Sequence, residues 1–107
     1  MAIEIRPDQT FVVRLADDPQ FSPELEEVGR DPLPKPAAVV LDFGTVRHIN
    51  SSGIARLLRL RKRLIEENGR LVLCGLSPQV TSVFQVTGLD KIFNFAEGPD
   101  HAFAAQS

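Results

Sequence analysis

Asn50-Ser51-Ser52-Gly53 is the stretch of this chain whose residue types and spacing could do chemistry. It falls between an apolar run, Ala37 to Phe43, and a helical pattern from Ile54 to Asn68. A helix start leaves N–H groups unpaired and carries the positive end of the helix dipole, so hydroxyls placed there sit where an anion is favoured. A phosphoryl group on such a serine adds about −1.5 to −2 charge at a spot the dipole tolerates. The fold would survive, while an acidic or apolar partner surface pressed onto the turn would be repelled. These residues suit a switch of association better than a catalyst. They also make an ordinary helix start, since Asn50 or Ser51 can cap the first-turn amides, with about 1 kcal/mol at stake. Gly53 costs up to about 1 kcal/mol against alanine inside a helix. Its presence predicts close backbone approach by a partner or ligand.

Other chemistries are less well supplied. Ser51, Asp90 and His101 follow the order of a serine hydrolase, but the nucleophile elbow requires glycine where this chain has Ile49, and the chain is far shorter than such enzymes. Asp42 ends an apolar run and Asp17-Asp18 could supply an acidic pair, as in a phospho-receiver. That pair runs into Pro19, and no lysine closes the last strand. Neither His48 nor His101 has a second ligand at metal-binding spacing, so no metal is expected. Cys74, in an apolar run, reads as a small core residue. No G-x-x-x-x-G-K loop is present, and no nucleotide or other cofactor is expected. Arg56, Arg59, Arg61, Lys62 and Arg63 crowd one helix, with Arg56, Arg59 and Arg63 at i, i+3, i+7. They read as a solvated face or as a docking surface for an acidic partner.

Composition narrows the rest. At 107 residues the chain is expected to be one domain, 1–107. Hydrophobic residues make up 43%, enough for a core. The net charge of −2 offers no general attraction to nucleic acid or anionic membrane. No apolar run approaches the roughly 20 residues of a membrane span. No leader pattern opens the chain, and the single cysteine forms no internal disulfide, which together predict a cytoplasmic location.

The elements that must position the turn follow from periodicity. Ile3 to Ile5 and Phe11 to Leu15 read as a hairpin around Pro7-Asp8-Gln9. Ser22 is expected to cap a short helix ending at Gly29, and Asp31 to Pro36 to form a loop. Ala37 to Phe43 reads as a strand covered on both faces. The next helix is expected to turn Ile54, Leu57, Leu58, Leu64 and Ile65 inward and to stop at Asn68-Gly69. Leu71 to Cys74 is a further buried strand. Ser77-Pro78 opens a helix with Val80, Val83, Phe84 and Thr87 inward, closed by Gly88. Ile92 to Phe95 is a last strand and Pro99 to Ala105 a terminal helix. The order β-β-α-β-α-β-α-β-α predicts an α/β domain, a mixed sheet of about four to five strands covered by about four helices.

With these residues in view, the chain resembles a known family. Val39-Val40-Leu41-Asp42-Phe43 through Ile49-Asn50-Ser51-Ser52-Gly53-Ile54 is similar to the signature of STAS domains, the sulfate transporter and anti-sigma factor antagonist family. Gly69 to Val80 and Thr87 to Phe93 are similar to the family's next strand, helix cap and closing turn, so the signature-bearing part is 37–105. The resemblance implies an anti-sigma factor antagonist of the stand-alone type. Such a protein binds an anti-sigma factor with serine kinase activity and is switched off by phosphorylation of the first serine of the pair, here Ser51. The partner-binding residues it implies are Asn50, Ser51, Ser52, Gly53, Ile54 and Arg56, in a protein that is not an enzyme and is a monomer or weak dimer. Asn50 stands where such antagonists usually carry Asp, and Leu15 to Gln20 replaces the usual segment after the early strand. A phosphorylation-independent STAS module in a multiprotein or membrane-transport complex is the alternative.

Overall fold

The computed structural model describes residues 2–7, 10–17, 21–30 and 38–98, with the backbone alone at 22, 29 and 30. Five strands, β1 (Ala2–Ile5), β2 (Thr10–Arg14), β3 (Ala38–Asp42), β4 (Arg70–Cys74) and β5 (Asn94–Ala96), lie side by side in chain order. β1 and β2 pair antiparallel, as the hairpin reading requires, and β2 through β5 run parallel. The helices α1 (Phe21–Arg30), α2 (Ser51–Glu66) and α3 (Pro78–Thr87) connect the parallel strands. Each crossover advances one strand in the same direction, and right-handed crossovers then place all three helices on one face.

The core matches that geometry. Val13, Leu15, Val39, Leu41, Phe43, Leu71 and Leu73 meet Phe21, Leu25 and Val28 of α1, Leu57, Leu60 and Leu64 of α2, and Val80 and Phe84 of α3. On the opposite face Val12, Val40, Val72 and Cys74 form a second, smaller cluster, each fully buried. Three consecutive residues of β3, Val39, Val40 and Leu41, are therefore buried, which is why the run is continuously apolar. Cys74 sits in the smaller cluster, where burial first and the nearby Asp42 carboxylate second push its thiol up from 9.0 to about 11, against a smaller opposing effect of Arg14. It is an apolar core residue, inert as a nucleophile at neutral pH.

Several expected boundaries shift. α1 begins at Phe21, so Ser22 lies inside the first turn and not before it, and the helix continues through Gly29. The reason is packing: Phe21, Leu25 and Val28 stand at i, i+4, i+7 and all are buried. The inner line of α2 is Gly53, Leu57, Leu60 and Leu64, whereas Ile65 is 54% exposed and Ile54 half-buried. α2 ends where Asn68 takes φ 60, with Gly69 N–H donating to Leu64 O. The left-handed residue of that stop is thus the asparagine. In α3, Ser77 Oγ caps Val80 N at 3.2 Å and Gly88 closes the helix at φ 77. Val80 and Phe84 are buried, Val83 is half-buried, and Thr87 is exposed, bonding back to Val83 O at 2.7 Å. A 3-10 turn at Leu89–Lys91 precedes β5, which starts two residues later than periodicity suggests. The loop 31–36 and the terminal helix 99–105 expected from sequence lie outside the described residues.

Candidate functional site

The turn emerges at the carboxyl end of β3, the end of a parallel sheet where α/β proteins commonly build their sites. Local bonds hold the loop that leads to it. Asp42 Oδ1 accepts from Gly44 N–H at 2.8 Å, Val46 N–H donates to Phe43 O, and the Val46 side chain is buried. Non-local bonds then tie the loop to the end of β2. Thr45 Oγ1 donates to Leu15 O at 2.7 Å, and His48 N–H reaches Asp17 Oδ1 at 3.4 Å. Asp17 Oδ2 also lies 3.9 Å from His48 Nδ1, so the fold supplies the carboxylate neighbour that spacing did not reveal. Among the described residues no group of three or more His, Cys, Asp or Glu is placed to hold a metal ion.

Asn50 is the cap. Its φ and ψ of −114° and 176° are extended, and Oδ1 accepts from Gly53 N–H at 2.9 Å while Ile54 N–H donates to Asn50 O at 3.0 Å. Ser51 and Ser52 follow in the first turn of α2, both exposed, with no acidic side chain in that turn. The dipole's positive end is thus offered to solvent without a neutralising carboxylate of its own helix. Asn50→Ala is expected to lower stability by about 1 kcal/mol through the lost cap, while Asn50→Asp should match or exceed the parent by a few tenths. Urea titrations of the three proteins compare them directly.

Gly53 packs closely within the chain. A Cβ there would stand 2.7 Å from Phe21 Cε2 and 3.0 Å from Phe21 Cδ2. The close approach seen here is made by α1 of the same chain. Phe21 is fully buried and rests on the Phe43 ring, centroids 5.6 Å apart. Glu24, 8% exposed, fixes α1 from below by accepting from Ala16 N–H at 2.9 Å.

Arg56 lies one turn further on and reaches both ways. Its Nη2 and Nε each stand 3.2 Å from Glu26 Oε2 on α1, and Nη1 contacts Ser52 Oγ. The cation crowd of α2 is thus split by the fold. Arg56 and Arg63 turn toward α1, the latter donating to Val28 O and pairing with Glu67 at 3.5 Å. Arg61 donates to Ile92 O and its guanidinium stands 5.9 Å from the Phe93 ring centre. Arg59 and Lys62 are exposed. Of the six residues singled out from sequence, Asn50, Ser51 and Ser52 form an exposed patch, Arg56 borders it, Gly53 is buried against α1, and Ile54 is half-buried. Phe21, Glu26 and Asp17 complete the surroundings. No spacing rule would have found them, because each comes from a segment remote in sequence.

The STAS domain family model matches residues 8–102. The chain belongs to the STAS domain family. A curated relative, the putative anti-sigma factor antagonist BtrV of Bordetella bronchiseptica, is 42% identical over 67 residues, which is 63% of this chain and 58% of that relative's length. An anti-sigma-factor antagonist domain protein from Planctomyces limnophilus superposes with a TM-score of 0.80 at 23% identity, covering 97% of this chain and 95% of the other. The Bacillus cell fate determinant SpoIIAA in its phosphorylated form gives 0.65 at 22% identity over 99% and 98%. These likenesses establish the fold, and the strand-to-helix turn of the signature occupies the place just described. Among the described residues no helix is long and apolar enough to cross a membrane.

Proposed function

We propose that this STAS domain is an anti-sigma factor antagonist. It docks an anti-sigma factor with serine kinase activity through the Asn50 to Ile54 turn and the first half of α2, and phosphorylation of Ser51 ends the contact. The observation that carries the reading is the exposed Ser51 at the open positive end of a 16-residue helix whose cap is already satisfied by Asn50. A phosphate placed there meets a favourable dipole, so the fold persists while the docking surface gains about −1.5 to −2 charge. The name of the Bordetella relative and the two forms in which SpoIIAA was solved, phosphorylated and unphosphorylated, support the same direction. The domain acts by binding and contributes no catalytic group of its own, in the cytoplasm where its kinase partner has ATP.

Incubating the chain with its candidate kinase and ATP, followed by mass spectrometry, is expected to find one phosphate on Ser51. A Ser51→Asp variant should keep its melting temperature within a few degrees and lose partner binding, read by titration calorimetry. Unfolding of that variant would instead make Ser51 a structural cap. The neutral carboxamide of Asn50 favours a second reading, a STAS module that scaffolds a multiprotein or membrane-transport complex without phosphorylation. That reading expects intact binding and an unmodified Ser51.

A further inference from the structure

β1 is an outer strand of the sheet among the described residues, paired with β2 along one side. Arg6 N–H donates to Thr10 O at 2.9 Å, which marks that pair as hydrogen-bonded. In an antiparallel ladder such pairs alternate, so with Ala2 facing Arg14 and Glu4 facing Val12 it is the even-numbered residues that bond to β2. The N–H and C=O groups of Ile3 and Ile5 consequently point away from the sheet. Their side chains are 51% and 64% exposed. Outward backbone groups with uncovered isoleucines form a template for a further strand.

The charges on this strand choose the occupant. Glu4 and Arg6 stand on the face opposite the isoleucines, at positions two apart and of opposite sign, with Glu4 3.3 Å from Arg6 and 3.2 Å from Arg14. We propose that two copies of this chain join antiparallel through their β1 edges, about a two-fold axis at Ile5. Three registers set Ile5 against a described outward-pointing residue of the second copy, Ile3, Ile5 or Pro7. Setting Ile3 against Ile5 of the second copy brings Glu4 opposite Glu4, and centring on Arg6 brings Arg6 opposite Arg6; like charges directly opposed are unfavourable. Centring on Ile5 sets Glu4 of each copy opposite Arg6 of the other. In that register the two Ile5 residues exchange N–H···O=C bonds and the isoleucines of both copies share one face. Pro7, with no N–H, ends the ladder on that side. Charge alternation about an odd-numbered centre is self-complementary, which an isologous contact requires. Ile5 lies beside Phe11 near the start of β2, whereas Ser51 follows the far end of β3, so both turns stay open to partners.

Sedimentation velocity over a concentration series tests the pairing on the full chain. The parent is expected to show reversible monomer–dimer exchange. Glu4→Lys and Arg6→Glu should each weaken self-association about tenfold, since each creates two like-charged pairs. An equimolar mixture of the two variants should recover parental strength, because every cross-axis pair is again opposite in sign. Ile5→Lys, at a well-exposed position, should leave the melting temperature nearly unchanged and abolish the dimer. A parent that stays monomeric at all concentrations overturns the proposal, as does a dimer indifferent to Ile5→Lys. A variant mixture no stronger than its components overturns the register.

Discussion

Truncating Phe21 to alanine is expected to lower stability by about 3–5 kcal/mol, and to reverse the sign of a second substitution, Gly53→Ala. Phe21 is fully buried, and its ring edge occupies the space where a Gly53 Cβ would stand. In the parent, alanine at 53 gains up to about 1 kcal/mol of helix propensity. It also forces an atom to 2.7 Å from a ring already held against Phe43, an overpacking that costs about 1–3 kcal/mol. The clash wins, and Gly53→Ala should destabilise. In the Phe21→Ala background the obstruction is gone, propensity alone remains, and the same change should stabilise. A double-mutant cycle by urea unfolding reads the coupling, which should exceed about 1 kcal/mol. Simple additivity would mean that α1 and α2 do not meet at this point. Because the pair fixes where the first turn of α2 sits on α1, Gly53→Ala should also weaken partner binding at the Ser51 turn.

Phe84→Ala should cost a similar amount, about 3–5 kcal/mol, or on the order of 15 °C or more in melting temperature for a domain of this size. Phe84 is fully buried and is the hub of the aromatic residues. Its ring meets Phe43 edge-on at 6.5 Å, Phe93 at 5.7 Å and Phe95 edge-on at 5.7 Å. Losing it removes the contact that ties α3 to β5 and to the centre of the sheet. Phe84→Leu retains most of the volume and should recover more than half of the loss in thermal unfolding. Phe21 and Phe84 both rest on Phe43, so the two alanine substitutions should combine non-additively despite lying on different helices. A loss below about 1 kcal/mol for Phe84→Ala would contradict the packing described.

Much of the fold was legible because its signals are local. Alternation and apolar runs located the strands, and i, i+3, i+4 spacing located the helices. Caps were read from the one or two residues that form them: Asn50 or Ser51 for α2, where Asn50 holds the cap, Ser77 for α3, and Gly88 at its end. The antiparallel opening pair and the parallel remainder follow from the lengths of the connections. The exposed serine pair at the start of α2 was also readable, since a helix start is defined by its own neighbours. Where the reading slipped, a non-local contact had intervened. α1 starts at Phe21 because that ring is needed in the core, and Ile65 faces solvent because Leu60 and Leu64 take the inner line.

By itself, then, the sequence determined which residues form β3, α2 and the Asn50-Ser51-Ser52-Gly53 turn between them, because those choices depend on backbone preferences within a few positions. Tertiary structure decided what that turn rests on and what surrounds it. Gly53 is kept small by Phe21, Arg56 is drawn to Glu26 across 30 positions, and Asp17 meets His48 across 31. Such contacts exist only once α1 has docked on α2 and β2 has paired with β3, and no spacing along the chain encodes the register of that docking.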